Sequence, residues 1–237
     1  MKVIEIKQLS KAFKEKQVLK NISFSVEQGR VVGLLGPNGA GKSTLIECIL
    51  GIKKIDSGTN LIFGKVPQKN RKQIFQRVGV QLQAANFQNN IKVYEICEEM
   101  SALYANPQDY QQLLKQFGLQ EQSKQFVSGL SGGQKQKLSL VIALLANPEI
   151  VFLDELTTGL DVEARREVWQ LLKELKQQGL TIFLTSHYME EVLELCDDLL
   201  ILKEGNLIAQ HPLNELKENL DAQALEDYYL SMVGGTK

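Results

Sequence analysis

The sequence predicts an α/β fold interrupted by an all-helical insertion at about residues 86–145. Three observations carry that expectation. The apolar runs Val31–Leu35, Ile150–Leu153 and Thr181–Thr185 are too short for helices and read as buried strands. Segments with helical spacing of apolar residues lie between and after them. The chain has 237 residues and 43% hydrophobic content, enough to bury a sizeable core in one large domain or two small ones.

The elements follow in order. Ile4 and Ile6 flank Glu5, and Ile22, Phe24 and Val26 alternate with Ser23 and Ser25, the period-two pattern of half-buried strands. After the strand ending at Leu35, residues 36–41 form a loop and 42–50 a helix. In the insertion, Val93, Ile96, Cys97, Met100 and Leu103 recur at helical spacing. Tyr110, Leu113, Leu114 and Phe117 do the same after a start signal at Asn106-Pro107, with Gly118 as a stop. A further helix is expected from about Gln134 to Leu145. Beyond the strand at 150–153, Asp161 can cap a helix that carries Val168, Leu171, Leu172 and Leu175 on one face. Met189, Val192, Leu193 and Cys196 mark a helix after the 181–185 strand. Lys203–Asn206 reads as a hairpin turn between residues 199–202 and 207–209. From Asn214 onward a helix or two is expected, with a frayed end at residues 233–237.

Composition narrows the function classes. The net charge of −1 argues against a general nucleic-acid binder. Basic residues outnumber acidic ones up to Arg77, and the reverse holds from Val78 onward, so the first half suits a polyphosphate partner. Cys48, Cys97 and Cys196 are far apart and form no CxxC; they read as buried thiols in a reducing compartment. Residues 1–5 show no apolar signal core, and the longest greasy stretch, Leu138–Ala146, is roughly half of what a membrane-spanning helix needs. A soluble chain is expected, with any membrane role exercised through a partner.

Gly36-Pro37-Asn38-Gly39-Ala40-Gly41-Lys42-Ser43 is a glycine, four residues, then Gly-Lys-Ser: the P-loop pattern. Glycines let successive backbone N–H groups turn inward toward phosphate oxygens, and the following helix adds the positive end of its dipole. Lys42 reaches the β- and γ-phosphates, Ser43 ligates Mg²⁺, and Thr44 holds the α-phosphate on this reading. The motif alone does not choose between a kinase, a GTPase and a transport ATPase. Ile150–Leu153 runs straight into Asp154-Glu155. Ligands gather at the carboxyl ends of parallel strands, and two adjacent carboxylates there call for a cation. Asp154 would hold Mg²⁺, leaving Glu155 to polarise the attacking water.

Leu130-Ser131-Gly132-Gly133-Gln134 is a second candidate anion site at a helix N-terminus. With it, residues 36–44, 130–134, 154–161 and His187 fall in the order and near the spacing of the ABC transporter ATPases, and the chain resembles that family over almost its whole length. The resemblance implies a P-loop NTPase core, RecA-like with a mainly parallel sheet, an N-terminal antiparallel β region and an inserted α-helical subdomain. It implies one ABC ATPase domain: a core with its β region at 1–85 and 146–210, a helical signature subdomain at 86–145 and a helical tail at 211–237. Gln83 corresponds to the glutamine that touches Mg²⁺ and faces the membrane partner, His187 to the switch histidine at the γ-phosphate, and Thr158–Asp161 to the loop linking two ATP sites. Phe13 stands where the family stacks an aromatic on adenine, and a core role for it stays open. Ser131, Gly132, Gly133 and Gln134 correspond to the turn that one cassette lends to the nucleotide of another.

ATP and Mg²⁺ are thus the implied ligands. The implied partners are a transmembrane permease and a second cassette packed head to tail, as a homodimer or a heterodimer, at the cytoplasmic face of the membrane; nucleic acid is not among them. Leu156 departs from the family, which usually has proline after the catalytic glutamate; the turn loses a constraint but no catalytic group. All matched catalytic positions carry the family's residue, so an active hydrolase is expected. Thr157–Asp161 and the stretch from Tyr94 to Tyr104 resemble bacterial exporters of drugs, peptides or lipids more than importers. A soluble ABC ATPase acting on ribosomes or chromosomes is the rival; the absence of a second cassette and of a sustained heptad run argues against it. His211 matches nothing in the family and reads as surface.

Overall fold

The computed structural model describes residues 1–82, 87, 88, 90–213 and 221–234. Gln83 and the expected start and end of the C-terminal tail, 214–220 and 235–237, lie outside the described residues. Two long strands open the chain, β1 (Lys2–Phe13) and β2 (Lys16–Glu27), and pair antiparallel. β3 (Val31–Leu35) leads through the glycine loop into α1 (Lys42–Ile49). β4 (Ser57–Ile62) returns to the free edge of β1, completing a three-stranded sheet of order β2-β1-β4. A single helical turn, α2 (Arg71–Ile74), precedes β5 (Val78–Gln81). The insertion then supplies α3 (Val93–Ser101), α4 (Tyr110–Gln116) and α5 (Gly132–Leu144). Strand and helix alternate again through β6 (Ile150–Asp154), α6 (Val162–Gln177), β7 (Thr181–Thr185) and α7 (Met189–Leu195). β8 (Asp198–Lys203) and β9 (Asn206–Pro212) form the expected antiparallel hairpin, and α8 (Ala222–Val233) follows.

The second sheet has six strands in the order β5-β6-β7-β3-β8-β9, parallel except for β9. It is covered on both faces, which explains the unbroken apolar runs of its central strands. Alternate residues of one strand serve different cores because side chains alternate across a sheet. Ile150, Phe152 and Phe183 pack with Phe24, Leu45 and Ile49 from the β2 and α1 side. Val151, Leu153, Ile182 and Leu184 pack with Leu138, Val168 and Leu172 on the helical side. The rings of Phe152 and Phe183 lie 5.6 Å apart, and Phe183 stacks on Phe24 at 6.1 Å. This arrangement sets the carboxyl ends of β6, β7 and β3 side by side, and the candidate site is built there.

Asp161 caps α6 as expected, accepting from the Ala164 N–H at 2.8 Å. Cys48, Cys97 and Cys196 are fully buried thiols outside any disulfide, and desolvation pushes Cys48 up to about 11 and Cys97 up to about 12. Other expectations change. α3 stops at Ser101, so Leu103 is not on its buried stripe and is 64% exposed. His211 is half-buried rather than surface: β9 sets it against α8, where its Nε2 is 2.7 Å from the Tyr228 hydroxyl.

Candidate functional site

The glycine loop fits because its backbone has no room for side chains at two points. A Cβ on Gly36 would lie 2.3 Å from the Leu202 carbonyl oxygen of β8. Gly41 ends the loop at φ +107°, a conformation L side chains rarely adopt. Gly41 is also the N-cap of α1, with no side chain to cap it and no acidic residue in the first turn. The helix therefore presents open N–H groups and the positive end of its dipole to an anion.

Lys42 is buried beneath the loop. Its ammonium donates to the Gly36 carbonyl at 2.7 Å and to the Pro37 carbonyl at 3.4 Å. Desolvation lowers its pKa, while the fields of Glu155 and Asp154 raise it. A phosphate entering the loop would exchange neutral carbonyl partners for a charged one, a stronger hydrogen bond.

Opposite the loop, Asp154 ends β6 and is 3% exposed. Its Oδ1 accepts from the Thr185 hydroxyl at 2.5 Å, and its Oδ2 accepts from the Ser43 hydroxyl at 3.3 Å. Its own N–H donates to the Gln81 side-chain oxygen at 3.2 Å. Glu155 sits at φ +53°, a strained geometry worth roughly 1–3 kcal/mol for a non-glycine residue. Its N–H is held by the Thr185 hydroxyl at 3.0 Å, and its Oε1 lies 2.6 Å from Nε2 of His187.

The loop, Glu155 and His187 face one cavity of about 860 Å³, with Asp154 behind its wall. Asn38, Gly39, Gly41, Lys42, Ser43 and Thr44 line it from the loop, and Glu155 and His187 line it from the strand ends. Gly36, Pro37 and Ala40 shape the loop from behind: the first two hold Lys42, and Ala40 is buried with its carbonyl accepting from Gly205 at 3.1 Å. Phe13 is not in the cavity wall. It is 41% exposed at the end of β1, with the ammonium groups of Lys11 and Lys53 each 5.2 Å from its ring centre.

Ser131–Gln134 also lie outside the cavity wall, at the start of α5. They form a reciprocal cap: the Ser131 hydroxyl accepts from the Gln134 N–H at 3.2 Å, and the Gln134 side chain accepts from the Ser131 N–H at 3.0 Å. Ser131 and Gly132 are exposed. The serine hydroxyl accepts within the cap and keeps its own proton for another acceptor.

Sequence reasoning missed several contributors. Thr185 was read only as strand, yet it binds both Asp154 and Glu155. Gln81 carries no signal of its own in the sequence, yet it orients Asp154. Lys16, Gln17, Val18, Lys20, Glu204 and Gly205 complete the cavity wall. The one available signal is a threonine closing a buried strand whose interior, Ile182–Leu184, is apolar.

The donor set suits Mg²⁺. Ser43 and Asp154 offer a hydroxyl and a carboxylate, hard oxygen donors on facing elements. No group of three or more His, Cys, Asp or Glu among the described residues could hold a metal alone. An ion between Ser43 and Asp154 would draw its further ligands from phosphate, from water or from a residue outside the described set, and Mg²⁺ beside nucleotides commonly takes phosphate and water.

A glycine loop feeding an uncapped helix, with a lysine inside it and an acidic pair at the next strand ends, defines a P-loop nucleotidase. Residues 19–158 match the ABC transporter family. Nod factor export ATP-binding protein I of Burkholderia lata is 38% identical over 222 residues, covering 91% of this chain and 73% of that protein. Linearmycin resistance ATP-binding protein LnrL of Bacillus subtilis is 34% identical, covering 87% of this chain and 68% of that protein. The solved ATP-binding subunit of an ABC transporter superposes with a TM-score of 0.86 at 26% identity, over 97% of this chain and 99% of that one. A dimeric bacterial ABC transporter cassette superposes with a TM-score of 0.80 at 25% identity, over 89% and 98%. The chain belongs to the ABC transporter family, as an ATP-binding subunit with ATPase activity. No helix among the described residues is long and apolar enough to cross a membrane.

Proposed function

We propose that the chain powers an exporter of drugs, peptides or lipids, working as one of two cassettes that clasp ATP head to tail beneath a transmembrane permease. One observation carries the paired arrangement. The chain builds two phosphate-type turns, and only the first shares a cavity with Glu155 and His187; the second, Ser131–Gln134, stands elsewhere, with Ser131 and Gly132 exposed. In a head-to-tail pair the second turn of each copy closes the first cavity of the other. The 1–85 and 146–210 core, the 86–145 helical subdomain and the 211–237 tail are units of this reading. Export follows from the Nod factor and linearmycin relatives, and the substrate class from the resemblance of Thr157–Asp161 and Tyr94–Tyr104 to such exporters. The permease places the cassette at the cytoplasmic face of the membrane.

Each residue has a role in this mechanism. The loop N–H groups and Lys42 bind and orient the phosphates, and Thr44 holds the α-phosphate. Ser43 and Asp154, with Gln83, would hold Mg²⁺, which would screen the phosphate charge. Phe13, at the end of β1 beside the cavity rather than in its wall, is assigned to adenine by the family resemblance alone. Glu155 takes a proton from the attacking water, and its strained backbone, pinned by Thr185, keeps the carboxylate aimed into the cavity. His187 steadies that carboxylate and contacts the γ-phosphate. Ser131 donates its spare hydroxyl proton to the partner copy's nucleotide. Loss of the γ-phosphate then removes the bridge between copies, and the helical subdomain passes the loosening to the permease.

The test is Glu155→Gln in the assembled transporter. The variant binds ATP as the wild type does, loses most turnover and stops export. Turnover at the wild-type rate in that variant would remove Glu155 from the role assigned to it.

A further inference from the structure

Glu191 has no part in the site described so far, yet it is one of the most buried carboxylates in the chain, only 3% exposed. No cation pairs with it among the described residues. A buried carboxylate without a cation is costly unless strong donors reach it. Two do: the Thr157 hydroxyl and the Trp169 indole N–H each donate to Oε1 at 2.8 Å. Their origin is informative. Thr157 is two residues past Glu155, Trp169 is on α6, and Glu191, in the first turn of α7, is four residues past His187.

Two chain segments are therefore laced together at both ends. The Glu155–His187 contact closes the upper end at 2.6 Å, and Thr157–Glu191 closes the lower end at 2.8 Å. The backbone from 155 to 157 and from 187 to 191 completes a ring. Residue 156 is a leucine in this turn, so no proline fixes φ there. Leu156 and Thr157 are nonetheless 3% and 1% exposed, held by packing and by this hydrogen bond.

We propose that Glu191 is a positioning residue for hydrolysis: it fixes the turn after Glu155 to α6 and α7, so that Glu155 and His187 keep their alignment through the catalytic cycle. It does not line the cavity that holds the loop, Glu155 and His187. Its contribution is orientation, and an orientation lost at the reacting group lowers turnover rather than binding. Both hydrogen bonds need an acceptor at Oε1 but not a charge, and that separates this role from an electrostatic one.

The inference rests on the ATPase reading above. The test compares Thr157→Val, Glu191→Gln and Glu191→Ala in the full chain, with ATPase kinetics and ATP binding measured for each. Thr157→Val and Glu191→Ala are expected to lower kcat about tenfold or more while KM stays within about twofold. Glu191→Gln retains an oxygen acceptor and is expected to keep most of the turnover. The sole tryptophan is Trp169, so its emission reports whether each variant keeps the local packing. Thr157→Val is nearly isosteric and decides the matter if Glu191→Ala does not fold. Wild-type turnover in folded Thr157→Val, a change in KM with kcat intact, or a Gln variant as slow as the Ala variant would each overturn the proposal. A wild type that hydrolyses no ATP would instead overturn the ATPase reading itself.

Discussion

Thr185→Val isolates the hydroxyl that organises the acidic pair. Valine keeps the shape and strand propensity of threonine, so β7 should form unchanged. The hydroxyl now donates to Asp154 at 2.5 Å and accepts from the Glu155 N–H at 3.0 Å. After substitution the Glu155 N–H retains the Thr185 carbonyl at 3.3 Å, so that donor is not orphaned. Oδ1 of Asp154 is orphaned, in a residue only 3% exposed. Leaving a buried charged acceptor without its partner costs about 2–3 kcal/mol. For a chain of this size each kcal/mol lowers Tm by about 2–4 °C, so calorimetry should show a fall of roughly 4–12 °C. Thr185→Ser keeps the hydroxyl and loses one methyl, about 1 kcal/mol, so it should fall less. Glu155 also loses one of the two acceptors holding its strained backbone, and turnover should drop in Val but largely survive in Ser. A Val variant that melts within a degree of the wild type, or a Ser variant that melts lower than Val, would refute this account of Thr185.

Two further predictions concern titration and reactivity. Burial lowers the Lys42 pKa below that of a free lysine, so between the folded and unfolded values the unfolded chain binds the extra proton. Lys42's own contribution to stability therefore improves as pH rises through that window, while ATP affinity falls, because the phosphates need the charged form. Isothermal titration at increasing alkaline pH should show the loss setting in below the usual lysine pKa, and Lys42→Ala should bind weakly at every pH. In the folded protein no thiol should react with an aromatic disulfide reagent at neutral pH, since Cys48 and Cys97 are pushed up to about 11 and about 12 and all three thiols are buried. Three should react once the chain is unfolded, and prompt labelling of the native protein would contradict the packing described.

Much of the site was legible because its chemistry is local. A phosphate loop needs its glycines, lysine and serine in one contiguous stretch, and the acidic pair must follow a buried strand directly. Asp161 announced the start of α6 for the same reason: a cap acts within three residues. What stayed hidden depends on partners distant in sequence. β4 is Ser-Gly-Thr-Asn-Leu-Ile, half exposed and mostly without apolar side chains, and exists as a strand because β1 offers it a free edge. β5 is four residues with a glycine inside, too short to show a period. Thr185 gains its role only because β6 and β7 pair in parallel with Asp154 opposite Thr185, a register no local pattern reveals. Glu191 sits in an ordinary acidic first turn of α7, where no local pattern signals burial; the tertiary contact of α6 with α7 buries it.

The shared clasp of ATP is the claim on which the rest stands, and mixing two crippled chains tests it most directly. One variant, Lys42→Ala, keeps an intact Ser131–Gln134 turn; the other, Gly132→Asp, keeps an intact glycine loop. Each alone should be nearly inactive. If every nucleotide is held by the loop of one copy and the turn of the other, the mixture regains ATPase activity, because mixed pairs contain one complete site. A mixture as inactive as its components, under conditions where the wild-type chain hydrolyses ATP, would contradict the head-to-tail arrangement.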